Sequence, residues 1–279
     1  MRTVAPGIAV VPVRTPTLPP ATHTNTWVVG VDALTVFDPA SPFEDEQERL
    51  AAALRERIDA GERLERIVLT HHHRDHVGGA EALRDRFATP ERPVPILAHP
   101  ITARLVAERI HVDTPWEDGQ SLDCGGRRLV STFTPGHAPG HLVFQDAESG
   151  AMIAGDMVAG IGTILIAPED GDVGEYLASL QAMRALAPSV LLPAHGEPLE
   201  HPEEVLAFYI AHRHERTEQI ARVLADHGPA TPLDLVPGVY AEEIPREAWP
   251  LAAAQILSHL RWMAEHDLAH PEGGGRWTG

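Results

Sequence analysis

One short stretch of the chain has the residues for metal chemistry. Four histidines and one aspartate stand within six positions of the segment IVLTHHHRDHVGG, residues 67–79. The apolar residues at its start predict a buried strand, and a helix is expected to begin at Ala80. The spacing His-x-His-x-Asp-His offers imidazole and carboxylate, which suit Zn²⁺, Mn²⁺ or Fe²⁺. A buried loop of imidazoles with nothing to bind would leave polar groups unsatisfied. The stretch therefore predicts a metal site.

Three further fragments each place one metal-ligating side chain after a predicted strand. They are TPGH ending at His137, AGD ending at Asp156 and PAHG containing His195. Each fragment alone is weak evidence for a metal site, because a single histidine at a strand end more often forms a hydrogen bond than binds a metal. Two metals about 3.5–4 Å apart need a shared ligand, and a carboxylate can give one oxygen to each. Asp156 suits that role, whereas His141 is expected to orient a neighbouring group.

The elements that must position these side chains alternate between strands and helices. Strands are predicted over residues 7–13, 26–31, 34–37, 67–70, 95–98, 129–133, 141–145, 151–154 and 190–192. Helices are predicted over residues 44–60, 80–87, 101–109 and 175–186. Because each ligand-bearing loop follows a strand end, the loops should converge on one edge of a layered α/β sheet.

The pattern changes near residue 201. Helices are predicted over residues 203–227, 232–236 and 247–266, followed by a hairpin at 268–270 and 276–278. The sequence thus predicts a catalytic domain over residues 1–200 and a winged-helix-like domain over residues 201–279. The second segment contains 12 acidic residues and 6 arginines. It therefore lacks the basic surface that phosphate contacts require, and we expect a dimerisation or substrate-wall module that does not bind DNA.

Composition limits the classes of partner. The chain has 279 residues, a formal charge of −18 and no lysine among its 22 basic residues, so its general surface should repel polyanions. Its one cysteine, Cys124, forbids an intrachain disulfide and fits a reducing compartment. No stretch approaches the roughly 18 apolar residues of a membrane span, and no cleavage pattern follows the first residues. We therefore expect a cytoplasmic protein without a membrane partner.

Taken in order, the four fragments resemble the motifs of the metallo-beta-lactamase superfamily between Thr70 and Gly196. The resemblance implies an αβ/βα four-layer sandwich, here followed by the small winged-helix-like domain. It implies two Zn²⁺ ions per chain, with Mn²⁺ or Fe²⁺ as alternatives. It assigns one metal to His71, His73 and His137, the second to Asp75, His76 and His195, and the bridging position to Asp156 with a water or hydroxide. Asp75 and Asp156 are the expected catalytic residues.

Two segments resemble one branch of this superfamily, the beta-lactamase-like protein 2 branch. They are GIGTILIAPEDGDVGEYLASL at residues 160–180 and YIAHRHERTEQI at residues 209–220. The resemblance implies either endoribonuclease activity on single-stranded RNA, as in animal members, or thioester hydrolysis, as in fungal relatives. Only 38 residues separate Asp156 from His195, which leaves no room for the inserted domain of the beta-CASP nucleases.

The expected activity is hydrolysis of a small-molecule ester or thioester by a hydroxide that bridges two metals. Single-stranded RNA is the second candidate substrate. Two other classes remain open: a mononuclear iron sulfur dioxygenase, and a winged-helix regulator whose metal site is vestigial. The intact set of ligands argues against the regulator. A homodimer is also left open.

Overall fold

The computed structural model of the protein describes residues 1–240 and 244–279. Its backbone forms two compact units. The first comprises Met1–Thr134, Pro139–Thr163 and Leu186–Pro202, and the second comprises Pro135–Ala138, Ile164–Ala185 and Glu203–Gly279. The division into sequence domains 1–200 and 201–279 stays a prediction.

The first unit contains two β-sheets. The larger sheet consists, in spatial order, of β1 (Arg2–Ala5), β2 (Ile8–Arg14), β3 (His23–Val29), β4 (Ala33–Phe37), β5 (Arg63–Leu69), β6 (Ile96–Ala98) and β7 (Thr114–Pro115). Pairing is antiparallel from β1 to β4 and parallel from β4 to β7. The smaller sheet contains β8 (Ser121–Asp123), β9 (Arg128–Phe133), β10 (Leu142–Asp146), β11 (Ala151–Gly155) and β12 (Val190–Pro193), with β11 and β12 parallel.

Two apolar cores hold the first unit together. Its helices are α1 (Glu44–Asp59), α2 (Arg74–Val77), α3 (Ala80–Phe87) and α4 (Pro100–Val106). Ile67 and Leu69 of β5 belong to the core that includes helix residues such as Leu54, whereas Val68 belongs to the core between the sheets. Successive strand side chains point to opposite faces, which explains why the last three residues of β5, Ile67–Leu69, are all apolar.

The second unit is helical and ends in a hairpin. It contains α5 (Val173–Ala185), α6 (Pro202–His227), α7 (Pro232–Tyr240), α8 (Trp249–Glu265) and the strands β13 (His270–Glu272) and β14 (Arg276–Thr278). Trp277 of β14 exchanges two backbone hydrogen bonds with Ala230 and packs in a core with Ile256 and Leu260. In the described part of the chain, no helix is both long and apolar enough to cross a membrane.

Most predicted elements are found with bounds shifted by one to four residues, and the differences have local causes. The first hairpin strand lies at His270–Glu272, two residues later than predicted, because the turn follows it immediately at Gly273–Gly275. Gly274 and Gly275 both have positive φ angles there, which glycine adopts without a Cβ penalty. The short strands β1, β7 and β8 were missed, since they lack a clear alternating apolar pattern.

His259 of α8 should make the stability of the second unit depend on pH. Its side chain is fully buried, and burial together with the charges of Arg213 and Arg216 lowers its pKa to about 3. The unfolded chain gains a proton at this position below about pH 6.5, whereas the folded chain does not. Stability is therefore lost progressively as the pH falls from about 6.5 towards 3. At pH 5 the expected loss is about 2 kcal/mol.

Urea unfolding at pH 7 and pH 5 measures this loss. We expect the His259→Gln variant to lose about 2 kcal/mol less than the wild type between the two pH values. His227 at the exposed end of α6 provides a matched control, because His227→Gln should keep the wild-type pH dependence. An identical dependence in His259→Gln and the wild type would contradict the prediction.

Candidate metal centre

The predicted strand-end ligands of the first unit come together in the folded chain. β5 ends directly before Thr70 and His71, β11 ends before Asp156, and β12 ends two residues before His195. Ligand-capable atoms of His71, His76 and Asp156 all lie within 4.8 Å of one another, and so do those of Asp75, His76 and His195. His76 belongs to both groups, so the two sets of donors are adjacent.

The two histidines beside Asp156 have defined tautomers. Nδ1–H of His76 donates to Asp38 Oδ2 at 2.8 Å, and Nδ1–H of His195 donates to the carbonyl of His23 at 3.0 Å. Their Nε2 atoms face Asp156, at 3.5 Å from Oδ2 for His76 and 3.4 Å from Oδ1 for His195. Each carboxylate oxygen therefore faces a different imidazole. Nε2 of His195 also lies 3.7 Å from Asp75 Oδ2.

His71 is oriented by a similar chain of hydrogen bonds. The Thr70 hydroxyl donates to Asp38 Oδ2 at 2.6 Å, so its oxygen accepts the Nδ1 proton of His71 at 3.0 Å. The lone pair of His71 is then on Nε2, which lies 3.0 Å from Nδ1 of His73. Fixing the tautomer through the second ring nitrogen is the usual way in which proteins prepare a histidine for a metal.

Asp38 is the functional residue that sequence reasoning missed. Its carboxylate contacts the Thr70 amide, the Thr70 hydroxyl and His76, and its side chain is almost fully buried. The pairing of Phe37 with Val68 in β4 and β5 explains this position, because it brings the ends of the two strands, and with them Asp38 and Thr70, close together. A usable signal was present, since Asp38 also follows a predicted strand, like the other site residues.

Electrostatics at Asp156 favour a bound cation. Burial by itself would raise the pKa of Asp156, but the charges of His76 and His195 hold it well below its ordinary value. Burial opposes the charged form of His76, yet the carboxylates of Asp156 and Asp38 hold its pKa well above the ordinary value. Asp156 thus remains ionised and attracts positive charge, which a proton or a divalent cation can supply.

His141 orients the strand end that carries Asp156. Its Nδ1–H donates to the Thr134 hydroxyl at 2.9 Å, and its Nε2 accepts the backbone N–H of Asp156 at 3.2 Å. Both ring nitrogens therefore have protein partners, as expected from the sequence for a histidine that does not bind metal. Gly155 allows the close approach, because a Cβ there would lie 2.5 Å from His141 Nε2.

His137 belongs to the second unit, on its segment Pro135–Ala138. The side chain is buried, and its Nδ1–H donates to the carbonyl of Leu165 at 2.9 Å. Since a carbonyl only accepts, the proton is on Nδ1, and the lone pair is on Nε2. His137 is therefore in the tautomer that a ligand would need, and its assignment to a metal stays a prediction.

The donors of the first unit fit a divalent metal. The Nε2 atom of His76 is buried, and its nearest acceptor, Asp156 Oδ2, lies at 3.5 Å, too far for a good hydrogen bond. An unsatisfied buried imidazole nitrogen is costly in a folded protein unless something binds it. Imidazole nitrogens with carboxylate oxygens are also the donors that Zn²⁺, Mn²⁺ and Fe²⁺ accept.

Comparison with protein families gives two matches. The model of the metallo-beta-lactamase superfamily matches residues 19–195, and that of the beta-lactamase associated winged helix domain matches residues 231–277. A Caenorhabditis elegans protein named beta-lactamase-like protein 2 homolog is 30% identical over 220 residues, which cover 78% of this chain and 71% of that protein. The Penicillium aethiopicum lactamase-like protein vrtG is 33% identical over 215 residues, covering 73% and 64% respectively.

Solved structures show the same architecture. A metallo-beta-lactamase family protein from Thermus thermophilus has a TM-score of 0.80 at 23% identity, covering 98% of this chain and 99% of that one. A beta-lactamase domain protein from Burkholderia ambifaria has a TM-score of 0.84 at 20% identity, covering 99% and 94%. The predicted fold class, a metallo-beta-lactamase α/β fold followed by a winged-helix domain, is confirmed.

Proposed function

The chain belongs to the metallo-beta-lactamase superfamily and is a metal-dependent hydrolase, and from this premise we propose that it binds two zinc ions and hydrolyses a small acyl ester or thioester. The observation that carries the dinuclear proposal is the position of Asp156. Its two oxygens face the Nε2 atoms of His76 and His195, on opposite sides of one carboxylate. A carboxylate in that position can give one oxygen to each of two cations.

The proposed ligands follow the motif order of the family. The first metal would be held by His71, His73 and His137, the second by Asp75, His76 and His195, and both by Asp156. The tautomers of His71, His76, His137 and His195 support this assignment, because in each ring the second nitrogen is protonated and held by a threonine, carboxylate or carbonyl oxygen. Such partners increase the basicity of the ligating nitrogen and fix the ring orientation.

Divalent cations bound there would lower the pKa of water towards about 7 and stabilise negative charge on a carbonyl oxygen. The side chains of the protein would orient the ligating imidazoles and accept the proton. Asp38 holds His76, and Thr70 holds His71, so neither ring can rotate away from the centre. Asp75 is only partly buried, and we assign to it the acceptance of a proton during turnover.

The substrate class follows from charge. A polyanionic substrate needs an array of cations on the protein surface, whereas an acyl ester or thioester does not. The chain carries a net charge of −18, which favours the acyl substrate. Single-stranded RNA is the second candidate, and a mononuclear iron sulfur dioxygenase the third. Zinc is preferred over Mn²⁺ because imidazole is the majority donor, and Fe²⁺, which imidazole also suits, is the alternative metal. A homodimer and a cytoplasmic location belong to the same proposal, the latter supported by the single cysteine, Cys124, which is buried with a thiol pKa raised to about 11.

Metal analysis combined with a substrate panel tests this proposal. The purified chain should contain two zinc ions and turn over a thioester or an aryl ester. Treatment with a chelator should abolish that turnover, and added Zn²⁺ should restore it, because the metals supply the charge stabilisation. A single iron per chain, with no hydrolysis of any acyl substrate, would contradict the proposal and favour the dioxygenase.

A further inference from the structure

In the second unit, one short loop is held by side chains from the two longest C-terminal helices. The loop runs from Ile164 to Pro168 and precedes α5 in the chain. From α6, Arg213 Nη2 donates to the Ile164 carbonyl at 2.5 Å. From α8, Gln255 Oε1 accepts the Ile166 amide at 2.9 Å, Ser258 Oγ donates to the Ile166 carbonyl at 2.7 Å, and Arg261 Nη1 donates to the Pro168 carbonyl at 2.5 Å.

The same loop holds His137. The Leu165 carbonyl, between the two fixed residues Ile164 and Ile166, accepts Nδ1–H of His137 at 2.9 Å. If the loop moved, this acceptor would move with it, and the imidazole would be free to change its tautomer or its orientation. Its Nε2 lone pair would then no longer point in a single direction. The contacts to Ile164 and Ile166 therefore fix the acceptor on which the tautomer of His137 depends.

Arg213 is in an unusual environment for a residue whose role is only to stabilise the fold. Its side chain is 2% exposed, and it forms no ion pair with any residue in the described ranges. Its guanidinium lies 5.1 Å from the ring centroid of Tyr176, and its Nε has no hydrogen-bond partner among the described residues. A buried cation without a carboxylate is costly, and apolar replacements are often at least as stable. Stability alone thus gives little reason for an arginine at this position.

We propose that Arg213, Gln255 and Ser258 are positioning residues for the metal ligand His137, acting through the Ile164–Ile166 backbone. The inference rests on the proposed function in one respect, the assignment of His137 as a ligand. It gives the C-terminal helices a role that requires no nucleic acid. They hold the backbone that determines the tautomer of one ligand, so metal affinity depends on helices α6 and α8, which carry none of the proposed ligands.

The Arg213→Met variant of the full chain tests the proposal. Methionine keeps the volume of the side chain's stem but cannot donate to the Ile164 carbonyl. Arg222→Met is the matched control, because Arg222 lies on the same helix, is 69% exposed and pairs only at 4.0 Å with Glu218. Two readouts apply: the ¹⁵N chemical shifts of the His137 ring in the metal-free protein, and zinc affinity in competition with a chromophoric chelator.

We expect wild type and Arg222→Met to show one His137 tautomer, protonated on Nδ1. Arg213→Met should show mixed tautomers and bind one of the two zinc ions about 10- to 100-fold more weakly, the usual cost of losing a group that orients a ligand. Arg213→Lys should restore part of the affinity, since lysine can still donate to the carbonyl. Gln255→Met removes the contact from α8 to the Ile166 amide. It should also produce mixed His137 tautomers and weaker zinc binding.

An unchanged tautomer and unchanged zinc affinity in folded Arg213→Met would overturn the proposal. If Arg213→Met does not fold, an unchanged tautomer and unchanged zinc affinity in folded Gln255→Met would overturn it. The proposed function fails in a different way. A wild-type chain that binds zinc but hydrolyses no acyl substrate would contradict the substrate assignment, while the tautomer and affinity differences among the variants would still support the positioning role.

Discussion

Asp156→Asn is expected to lower turnover of an acyl substrate by roughly 10²- to 10³-fold, the range seen when a preorganised charge-stabilising group is removed. The aspartate is 7% exposed, and it is the one carboxylate that faces both His76 and His195 in the described part of the site. Asparagine has nearly the same shape, but its neutral amide is a poor ligand and cannot share a negative charge between two cations. Metal content should therefore fall together with activity.

The fold should survive this change, because the amide fits the same space and the carboxylate of Asp38 still pairs with His76. Circular dichroism measures the fold, and elemental analysis counts the metals. Asp45→Asn is a matched control, since it makes the same chemical change at an exposed ion pair with Arg14. It should behave like the wild type. Two metals retained in Asp156→Asn, with unchanged turnover, would show that this carboxylate does not bridge.

Much of the fold and of the candidate site could be predicted, because the same sequence feature marks both: a buried apolar strand followed by a polar side chain. A polar side chain directly after a buried strand lies at the sheet edge, and this rule identified His71, Asp156 and His195. The same rule applies to Asp38, which follows the strand predicted over residues 34–37, but an aspartate before a proline is also typical of a plain strand end. The register of β4 against β5 gives Asp38 its role, and register depends on pairing between distant segments.

The groups that hold the proposed ligands in place could not be predicted, because many of them are backbone atoms. The carbonyls of His23 and Leu165 hold the Nδ1 protons of His195 and His137, and any residue type would present the same oxygen. Sequence patterns report side chains and their periodicity, so they carry no signal for such contacts. The same reason explains why no sequence pattern signals that Arg213 is buried.

Burial and pairing of arginines also bear on the choice between an acyl substrate and RNA. From the sequence, the arginines expected to contact phosphates near the metal site are first Arg74 and then Arg127, Arg128 and Arg213. Arg213 is buried, and Arg127 forms ion pairs with Asp146 and Glu148. Only Arg74 and Arg128 are exposed. Two exposed arginines on a chain with a net charge of −18 make a weak surface for a polyanion.

Salt dependence should therefore separate the two substrates. Each contacted phosphate of a single strand contributes a slope of about −0.7 to log K against log salt, so an RNA held by about four contacts would bind roughly 50-fold more weakly at 200 mM than at 50 mM salt. An uncharged aryl ester releases no counterions, and we expect its kcat/KM to change less than about 2-fold over that range. Asp75→Ala should reduce ester turnover and abolish any RNA cleavage, because both would use the same centre. Strong, chelator-sensitive RNA cleavage at physiological salt, without turnover of any acyl substrate, would instead identify the chain as a nuclease.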